Sequence, residues 1–327
     1  MNGLPVDSER RRFVADAPQS GRTVLAALRG WLPGQSWSNL RKLLSARRVL
    51  VNDALCLDEA RRLTAGETVE VSGRAQAAPP AAEDVRLFWL DDDVVVVDKP
   101  AGMITLRHPS ERDWSSERKT LQPALDDVIP ELIARQQHLK RKPVGSLFSV
   151  HRIDRGTSGL LVFARQVTAQ QALIEQFKKH SVERTYLAVV EGTLAAQTFE
   201  SRLVDDRGDG LRGSTSQPGA GKRAVTHVRP IERLVGWTLL ECRLETGRTH
   251  QIRIHLSEAG HPVYGDSKYG PPRDPNEMPK TQLMALHAAT LGFDHPIEGR
   301  RLSFESRPPR DFDALVAALR SRPNKRP

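Results

Sequence analysis

Residues 150–165, VHRIDRGTSGLLVFAR, set one carboxylate, Asp154, among His151, Arg152 and Arg155, ahead of a turn carrying Gly156, Thr157, Ser158 and Gly159. Leu160, Leu161, Val162 and Phe163 follow as an unbroken apolar run, which predicts a fully buried strand. An acid in a glycine-rich loop at the edge of a packed strand, beside fixed positive charge, is placed as functional carboxylates are. An aspartate in a turn can also do no more than accept backbone N–H groups. The local pattern leaves both readings standing, and partners elsewhere in the chain must decide between them.

Four other clusters carry chemistry. RTYLAVVEG sets Tyr186 in an aliphatic strand, a place where a tyrosine is most often core. ETGRTHQIRIHL, residues 245–256, holds Arg248, His250, Arg253 and His255 among Ile252, Ile254 and Leu256, and a helix is expected over 250–260. On a helix Arg248 and Arg253 do not closely share a face; on a bent segment they could point to different partners. GHPVYGDSKYG, residues 260–270, is rich in turn residues and holds Asp266 and Lys268. In SNLRKLLSARR, Arg41, Lys42, Arg47 and Arg48 make a basic helix that could track a phosphate backbone or be an ordinary solvated face.

Competing motifs fail. PGAGKR at 218–223 has Ser216 where a phosphate loop needs its first glycine and Arg223 where it needs Ser or Thr. G-x-S-x-G, H-E-x-x-H and a G-x-G-x-x-G after a strand are all missing from the sequence. His255 and His261 are six residues apart, which does not put two ligands on one helical face. The motifs therefore point to neither a metal nor a nucleotide cofactor.

Around these residues the 327-residue chain carries 49 Lys and Arg against 40 Asp and Glu, a net charge of +9 that suits a polyanionic partner. Its two cysteines, Cys56 and Cys242, lie far apart, which argues against a disulfide framework or a cysteine zinc site. MNGLPVDSERRRF lacks the apolar core of a signal peptide and no run is long enough to span a membrane, so a cytoplasmic protein is expected.

Residues 1–19 read as a flexible arm. Residues 20–73 read as a small α+β module: Val24, Leu25, Leu28 and Trp31 recur at helical spacing, then Leu40, Leu43 and Leu44, with Ser38 as the expected N-cap of the second helix. Short strands in VLVNDALCLD, which turns at Asn52-Asp53, and in TAGETVEVSG complete it. The Ala/Pro-rich stretch 74–83 is a linker. Residues 84–312 read as a strand-rich domain, with a helix in AQQALIEQFKKH and a long hairpin loop over 205–223. Residues 313–327 are a C-terminal helix and basic tail. Residues 107–149 are the least readable stretch, with one or two short helices expected.

In their order and rough spacing, HRIDRGTSGLLVFAR, RTYLAVVEG, GRTHQIRIHL, GHPVYGDSKYG and LHAATLGFDHP resemble the RluA-type pseudouridine synthases, and VVVDKPAGM resembles that family's first catalytic strand. The resemblance covers most of 84–312, and 20–73 is similar to the small RNA-binding module that many members carry. It implies an α+β fold with a mixed, mostly antiparallel central sheet, flanking helices and a cleft across the sheet. It implies isomerisation of uridine to pseudouridine in structured RNA, ribosomal RNA first and transfer RNA second, by a monomer without cofactor or membrane.

Residue by residue, the resemblance makes Asp154 the catalytic carboxylate, as nucleophile or proton acceptor, and Arg253 the cation that keeps it ionised and oriented. It makes Tyr186 the ring that stacks on the target base and assists proton transfer, and Arg152 the side chain that fills the gap left by the flipped base. His151 and Thr157 shape the loop. Arg184 departs from the lysine common before that tyrosine. Two other readings remain: a binding or assembly factor on the same fold without turnover, and a hydrolase that releases uracil.

Overall fold

The computed structural model describes residues 11–52, 54–107, 109–137, 145–271 and 284–321. The chain forms two units, one of Met1–Pro79 with His108–Pro123, the other of Pro80–Arg107 with Ala124–Pro327. The division between Pro79 and Pro80 falls inside the Ala/Pro-rich stretch 74–83.

In the first unit a four-stranded antiparallel sheet runs in the order β1 (Arg11–Val14), β4 (Thr68–Val71), β2 (Val49–Val51), β3 (Ala54–Leu55). Helices α1 (Val24–Trp31) and α2 (Trp37–Ser45) bury Leu25, Leu28, Leu40 and Leu44 in one core with Val49, Val51 and Val69. Ser36, not Ser38, caps α2: its hydroxyl accepts from the Asn39 N–H at 3.1 Å, and Ser38 already lies within the helix.

The arm expected over 1–19 is corrected in its second half. Arg11–Val14 pair with β4, Phe13 stacks on Trp31 at 5.0 Å, and Ala15 is buried, which together hold the strand. Residues 1–10 lie outside the described residues. Residues 109–123 belong to this unit although residues of the second unit flank them in sequence. Helix α3 (Ser116–Leu121) is fastened by Arg118, paired with Asp58 at 2.5 Å, and by Gln122, which donates to the Leu55 carbonyl at 3.0 Å.

The second unit contains β5 (Arg86–Leu90), β6 (Val94–Lys99), β7 (Phe148–Ser149), β8 (Ser158–Ala164), β9 (Glu183–Glu191) and β10 (Gln197–Val204). It continues with β11 (Gly213–Ser214), β12 (Lys222–Leu234), β13 (Trp237–Leu244), β14 (Leu286–Asp294) and β15 (Arg301–Glu305). Among the described residues these form one 11-stranded sheet, β11-β10-β12-β13-β9-β14-β8-β6-β5, with β15 on β14 and β7 on β8. Its described pairs are antiparallel except β14 with β8, so the sheet is mixed and mostly antiparallel as expected.

Helices α4 (Leu125–Gln136), α5 (Val167–Lys178), α6 (Gln251–Glu258) and α7 (Arg310–Arg320) flank the sheet. The C-terminal helix starts at Arg310 rather than 313, because Pro309 takes its N-cap, and residues 322–327 lie outside the described residues.

Strand β8 is buried at all seven positions, as its apolar run predicts. Leu161 and Phe163 face one core with Leu125, Ile129 and Ile252; Leu160, Val162 and Ala164 face another with Ala169 and Leu173 of α5. A two-residue side-chain period explains the split. The register aligns Cys242, Tyr186, Ala288, Gly159 and Lys99 in one row across β13, β9, β14, β8 and β6.

In that row Gly159 has φ 112°, and a Cβ there would meet the Ala288 carbonyl oxygen at 2.2 Å. Gly159→Ala should therefore lower stability by about 2–4 kcal/mol through strain and overpacking, read as a lower urea midpoint with unchanged slope. A midpoint like that of the unmutated protein would show that the β8–β14 contact is not tight.

Candidate active site

Asp154 lies in the loop between β7 and β8, and its neighbours are tied on both sides. The Thr105 hydroxyl donates to the Ile153 carbonyl at 2.7 Å and accepts the Ile153 N–H at 3.3 Å. The Arg155 carbonyl accepts from the Gly102 N–H at 2.7 Å and from Lys99 Nζ at 3.2 Å. Lys99 is fully buried and also donates to the carbonyls of Pro100 at 2.9 Å and Met103 at 2.8 Å. Burial pushes its pKa down to about 7, while the Asp154 charge pulls it up. The Thr157 N–H closes the turn on the Asp154 carbonyl at 3.1 Å.

His151 holds the root of this loop. Its Nε2 accepts the Val162 N–H at 3.2 Å and its ring packs on Phe177 at 4.7 Å. Burial, helped by the Arg184 charge, pushes the imidazole down to about 3, consistent with a ring that must accept at Nε2.

Helix α6 presents Arg253 to this loop. Arg253 Nη1 donates to Asp154 Oδ2 at 2.9 Å, while Nε and Nη2 donate to Asp266 Oδ2 and Oδ1 at 2.7 and 2.8 Å. One guanidinium thus bridges two carboxylates, bidentate on Asp266, the geometry that fixes a fork most firmly. Burial works against the charge of Arg253, but Asp266 and then Asp154 more than offset it and raise its pKa. Burial likewise works against the Asp266 charge; Arg253 and the N–H groups of Tyr269 and Lys268 overcome it and lower the pKa.

The start of α6 is set by Gln251, which donates to the Val225 carbonyl at 2.9 Å and accepts from the Arg248 N–H at 3.0 Å. Arg248 points elsewhere, donating to the Arg223 carbonyl at 3.0 Å. His255 is spent on the sheet, with Thr226 Oγ1 at 2.9 Å and Ser201 Oγ at 3.0 Å. His250 Nε2 stands 3.8 Å from Asp154 Oδ1.

Tyr186 lies on β9 and is 7% exposed. Burial raises its pKa, Arg184 opposes the rise and the Asp154 charge adds to it, so phenol, guanidinium and carboxylate share one electrostatic environment. Arg184 is buried, donates to the Glu245 carbonyl at 3.2 Å and lies over the Phe177 ring at 5.2 Å. Arg152, two residues before Asp154, is exposed.

The structure therefore pairs Asp154 with Arg253, and the Asp154 charge acts on the buried phenol of Tyr186. Asp266 stood out in the sequence without a role; its signal was an aspartate opening a turn whose next N–H groups, from Lys268 and Tyr269, it accepts at 3.0 and 3.1 Å. Lys99 had no signal beyond a charge ending an apolar strand. With one oxygen of Asp154 held by Arg253 and the side chain 16% exposed, the arrangement is a fixed, accessible carboxylate able to attack carbon or take a proton.

The four basic residues of the first unit do not share one helix. Arg41 and Lys42 lie on α2, with Arg41 paired to Glu59 at 2.8 Å; Arg47 and Arg48 lie past its end. Helix α2 stops at Ser45 because Arg47 turns left-handed, with φ 58°, and Arg48 donates to the Ser72 carbonyl at 2.7 Å. Elsewhere, Asp91, Asp93 and His295 bring ligand atoms within 4.8 Å of one another. His295 Nδ1 accepts the Glu298 N–H at 3.0 Å, so the proton sits on Nε2, 3.2 Å from Asp91 Oδ2, and the group closes on itself rather than offering a nitrogen lone pair.

Comparison with known proteins gives a consistent picture. Residues 93–258 match the model of the RNA pseudouridylate synthase family. The chain is 35% identical over 313 residues to ribosomal large subunit pseudouridine synthase D of Neisseria meningitidis, covering 92% of this chain and 79% of that protein. The protein of the same name from Xanthomonas campestris is 36% identical over 332 residues, covering 97% and 94%. The solved structure of human RNA pseudouridylate synthase domain containing 4 shares the fold, with a TM-score of 0.56 at 23% identity over 72% of this chain and 92% of that one.

The half-buried His151 makes stability depend on pH. Its folded pKa of about 3 lies below the ordinary 6.5, so above 6.5 both states are neutral and it contributes nothing. Below 6.5 the unfolded chain binds a proton that the folded protein refuses, and stability falls by about 1.4 kcal/mol per pH unit from this group. Urea unfolding at about pH 7 and about pH 5 should show a smaller acid loss for His151→Gln, which keeps an acceptor but does not titrate. Equal losses would mean that His151 is protonated in the folded state.

Proposed function

The chain belongs to the RNA pseudouridylate synthase family, of the RluA type, and is an RNA pseudouridine synthase; on that premise we propose that its substrate is a uridine of ribosomal RNA and that Asp154 is the essential carboxylate. The observation that carries the site is the Arg253 guanidinium shared between Asp154 at 2.9 Å and Asp266 at 2.7 Å. It orients one oxygen of Asp154 and leaves the other for substrate. The ribosomal RNA reading is supported by the names of the two bacterial relatives, both aligned over more than nine-tenths of this chain.

In the reaction the bond from C1′ to N1 breaks, the uracil turns, and a bond from C1′ to C5 forms. The C5 hydrogen leaves as a proton and N1 takes one up, so nothing is oxidised or reduced and no group passes to a second molecule. Asp154 starts the sequence as nucleophile or as proton acceptor on the sugar. Tyr186, level with Gly159 in the sheet, is the platform for the uracil and a partner for the late proton transfer.

A stacked base must leave the helix before Asp154 can reach it, at a cost of a few kcal/mol. The exposed Arg152 beside Asp154 is suited to enter the gap. The isomerisation involves no redox change and no second acceptor, so the proposed reaction calls for no cofactor, and the protein is proposed to act as a monomer. No described helix is long and apolar enough to cross a membrane; the protein is proposed to work on RNA in the cytoplasm.

Total RNA from cells lacking the gene, incubated with the protein and mapped for pseudouridine, should gain modified sites in large-subunit ribosomal RNA. Asp154→Ala should lower the rate by about 10²–10⁴-fold or more while RNA still binds. New sites in transfer RNA alone would move the substrate, and no new site with binding intact would leave a binding factor. Released uracil would point to a hydrolase.

The first unit is proposed to hold RNA through Lys42, Arg47, Arg41 and Arg48. Lys42→Glu and Arg47→Glu should each reduce the slope of log affinity against log salt by about 1, with the saturated rate unchanged. An unchanged slope would make these residues an ordinary solvated face.

A further inference from the structure

His250 is the residue before α6 and has φ 59° and ψ 16°, a left-handed conformation that side chains other than glycine adopt at a cost. Its side chain makes no capping hydrogen bond to the helix, so helix termination does not explain its presence. Left-handed residues of this kind collect at functional sites, where surrounding structure over-determines them. Here both ring nitrogens have something to face. Nδ1 lies 2.8 Å from the Tyr269 hydroxyl, and Nε2 lies 3.8 Å from Asp154 Oδ1, the carboxylate oxygen that Arg253 does not hold.

The proton positions follow from the surroundings. Burial pushes the Tyr269 phenol up to about 12, so it keeps its proton. Burial pushes His250 down to about 4, with Arg253, Lys268 and Arg212 also lowering it and Asp154 opposing, so the ring is neutral near pH 7. One proton is then shared between Tyr269 and Nδ1, and one ring nitrogen carries another. If Nδ1 carried it, the Nε2 lone pair would face a carboxylate oxygen, which is repulsive. Donation from Tyr269 to Nδ1 puts the ring proton on Nε2, facing Asp154. Tyr269 is itself fixed: its ring lies 5.0 Å from the Arg253 guanidinium, and its carbonyl accepts from Ser257 Oγ at 2.6 Å.

We propose that His250, locked by Tyr269 in its Nε2–H form, is a positioning residue that closes on Asp154 Oδ1 when RNA is bound and sets the direction in which that oxygen meets the ribose. This rests on the reading of Asp154 as the essential carboxylate. The two oxygens of Asp154 then differ in kind: Oδ2 is held by a permanent cation, and Oδ1 by a neutral donor that can yield it to substrate. Contact at 3.8 Å in the free protein is the loose state expected before substrate tightens it.

Single-turnover rates at saturating ribosomal RNA, RNA affinity and thermal midpoints separate this role from a structural one. His250→Gly removes the ring but favours the left-handed backbone, so the midpoint should hold or rise while the rate falls about 10- to 100-fold, the size of a lost hydrogen bond to a charged group. RNA affinity should stay within about threefold, well below that loss. His250→Gln, whose amide nitrogen matches the position of Nε2, should recover part of the rate. Tyr269→Phe should slow the unmutated protein and add nothing in the His250→Gly background.

A His250→Gly rate equal to that of the unmutated protein overturns the proposal. A loss confined to affinity also overturns it, since the ring would then contact RNA instead of Asp154. Asp154→Ala in the same assay keeps the two readings apart: an active Asp154→Ala protein removes the premise, whereas an inactive one beside an active His250→Gly removes only the role of His250.

Discussion

The buried guanidinium of Arg253 is the constraint on which the site depends. Taking an ion out of water costs several kcal/mol even after relaxation, and only close, well-directed partners offset that. Arg253 has them in Asp266, which grips two of its nitrogens, and in Asp154, which takes a third. The inner carboxylate works as an anchor. Asp266 is almost wholly buried and is itself held by backbone N–H groups, so the guanidinium cannot follow Asp154 if the loop shifts. The loop must come to the arginine, and Lys99, Gly102 and Thr105 see that it does by pinning the carbonyls on either side of Asp154.

Positioning and electrostatics are what a protein's own side chains bring to lowering a barrier. That puts the demand on rigidity, and the sheet meets it. Tyr186, Ala288, Gly159 and Lys99 stand in one row, so the Tyr186 ring, the strand that follows the Asp154 loop and the buried Lys99 are held by consecutive ladders. The one parallel contact in that row is short and is possible only because residue 159 has no side chain. The fold thus places this close backbone approach five residues from Asp154.

Much of this was legible in the sequence because it rests on local pattern. The apolar run after Ser158 is buried throughout, and the helix that carries Arg253 ends within two residues of its expected limits. What escaped depends on distance along the chain or on a single dihedral angle. The strand Arg11–Val14 offers only Phe13 and Val14 among arginines, so its pattern resembles a charged arm until Trp31 is there to stack on. Residues 109–123 look like a surface insertion because Arg118 and Gln122 find Asp58 and Leu55 more than fifty residues away. The left-handed backbone of His250 has no compositional mark, since glycine and asparagine, the usual signals, are absent at that position.

Counting arginines misleads for a related reason. An arginine carries five donors and holds loops as readily as it holds phosphates. Arg48 is engaged with the Ser72 carbonyl, Arg62 donates to the Gly21 carbonyl at 2.6 Å, and Arg61 pairs with Glu67 at 2.9 Å, all within the small first unit. Part of the positive charge that suggested RNA is thus structural cement. A phosphate contact there must compete with carbonyls already in place, whereas Lys42 is exposed on α2 and can meet a backbone without breaking anything. Within this unit, affinity for RNA should follow exposed lysine charge more closely than total basic count, because the exposed ammonium gives up only water on binding.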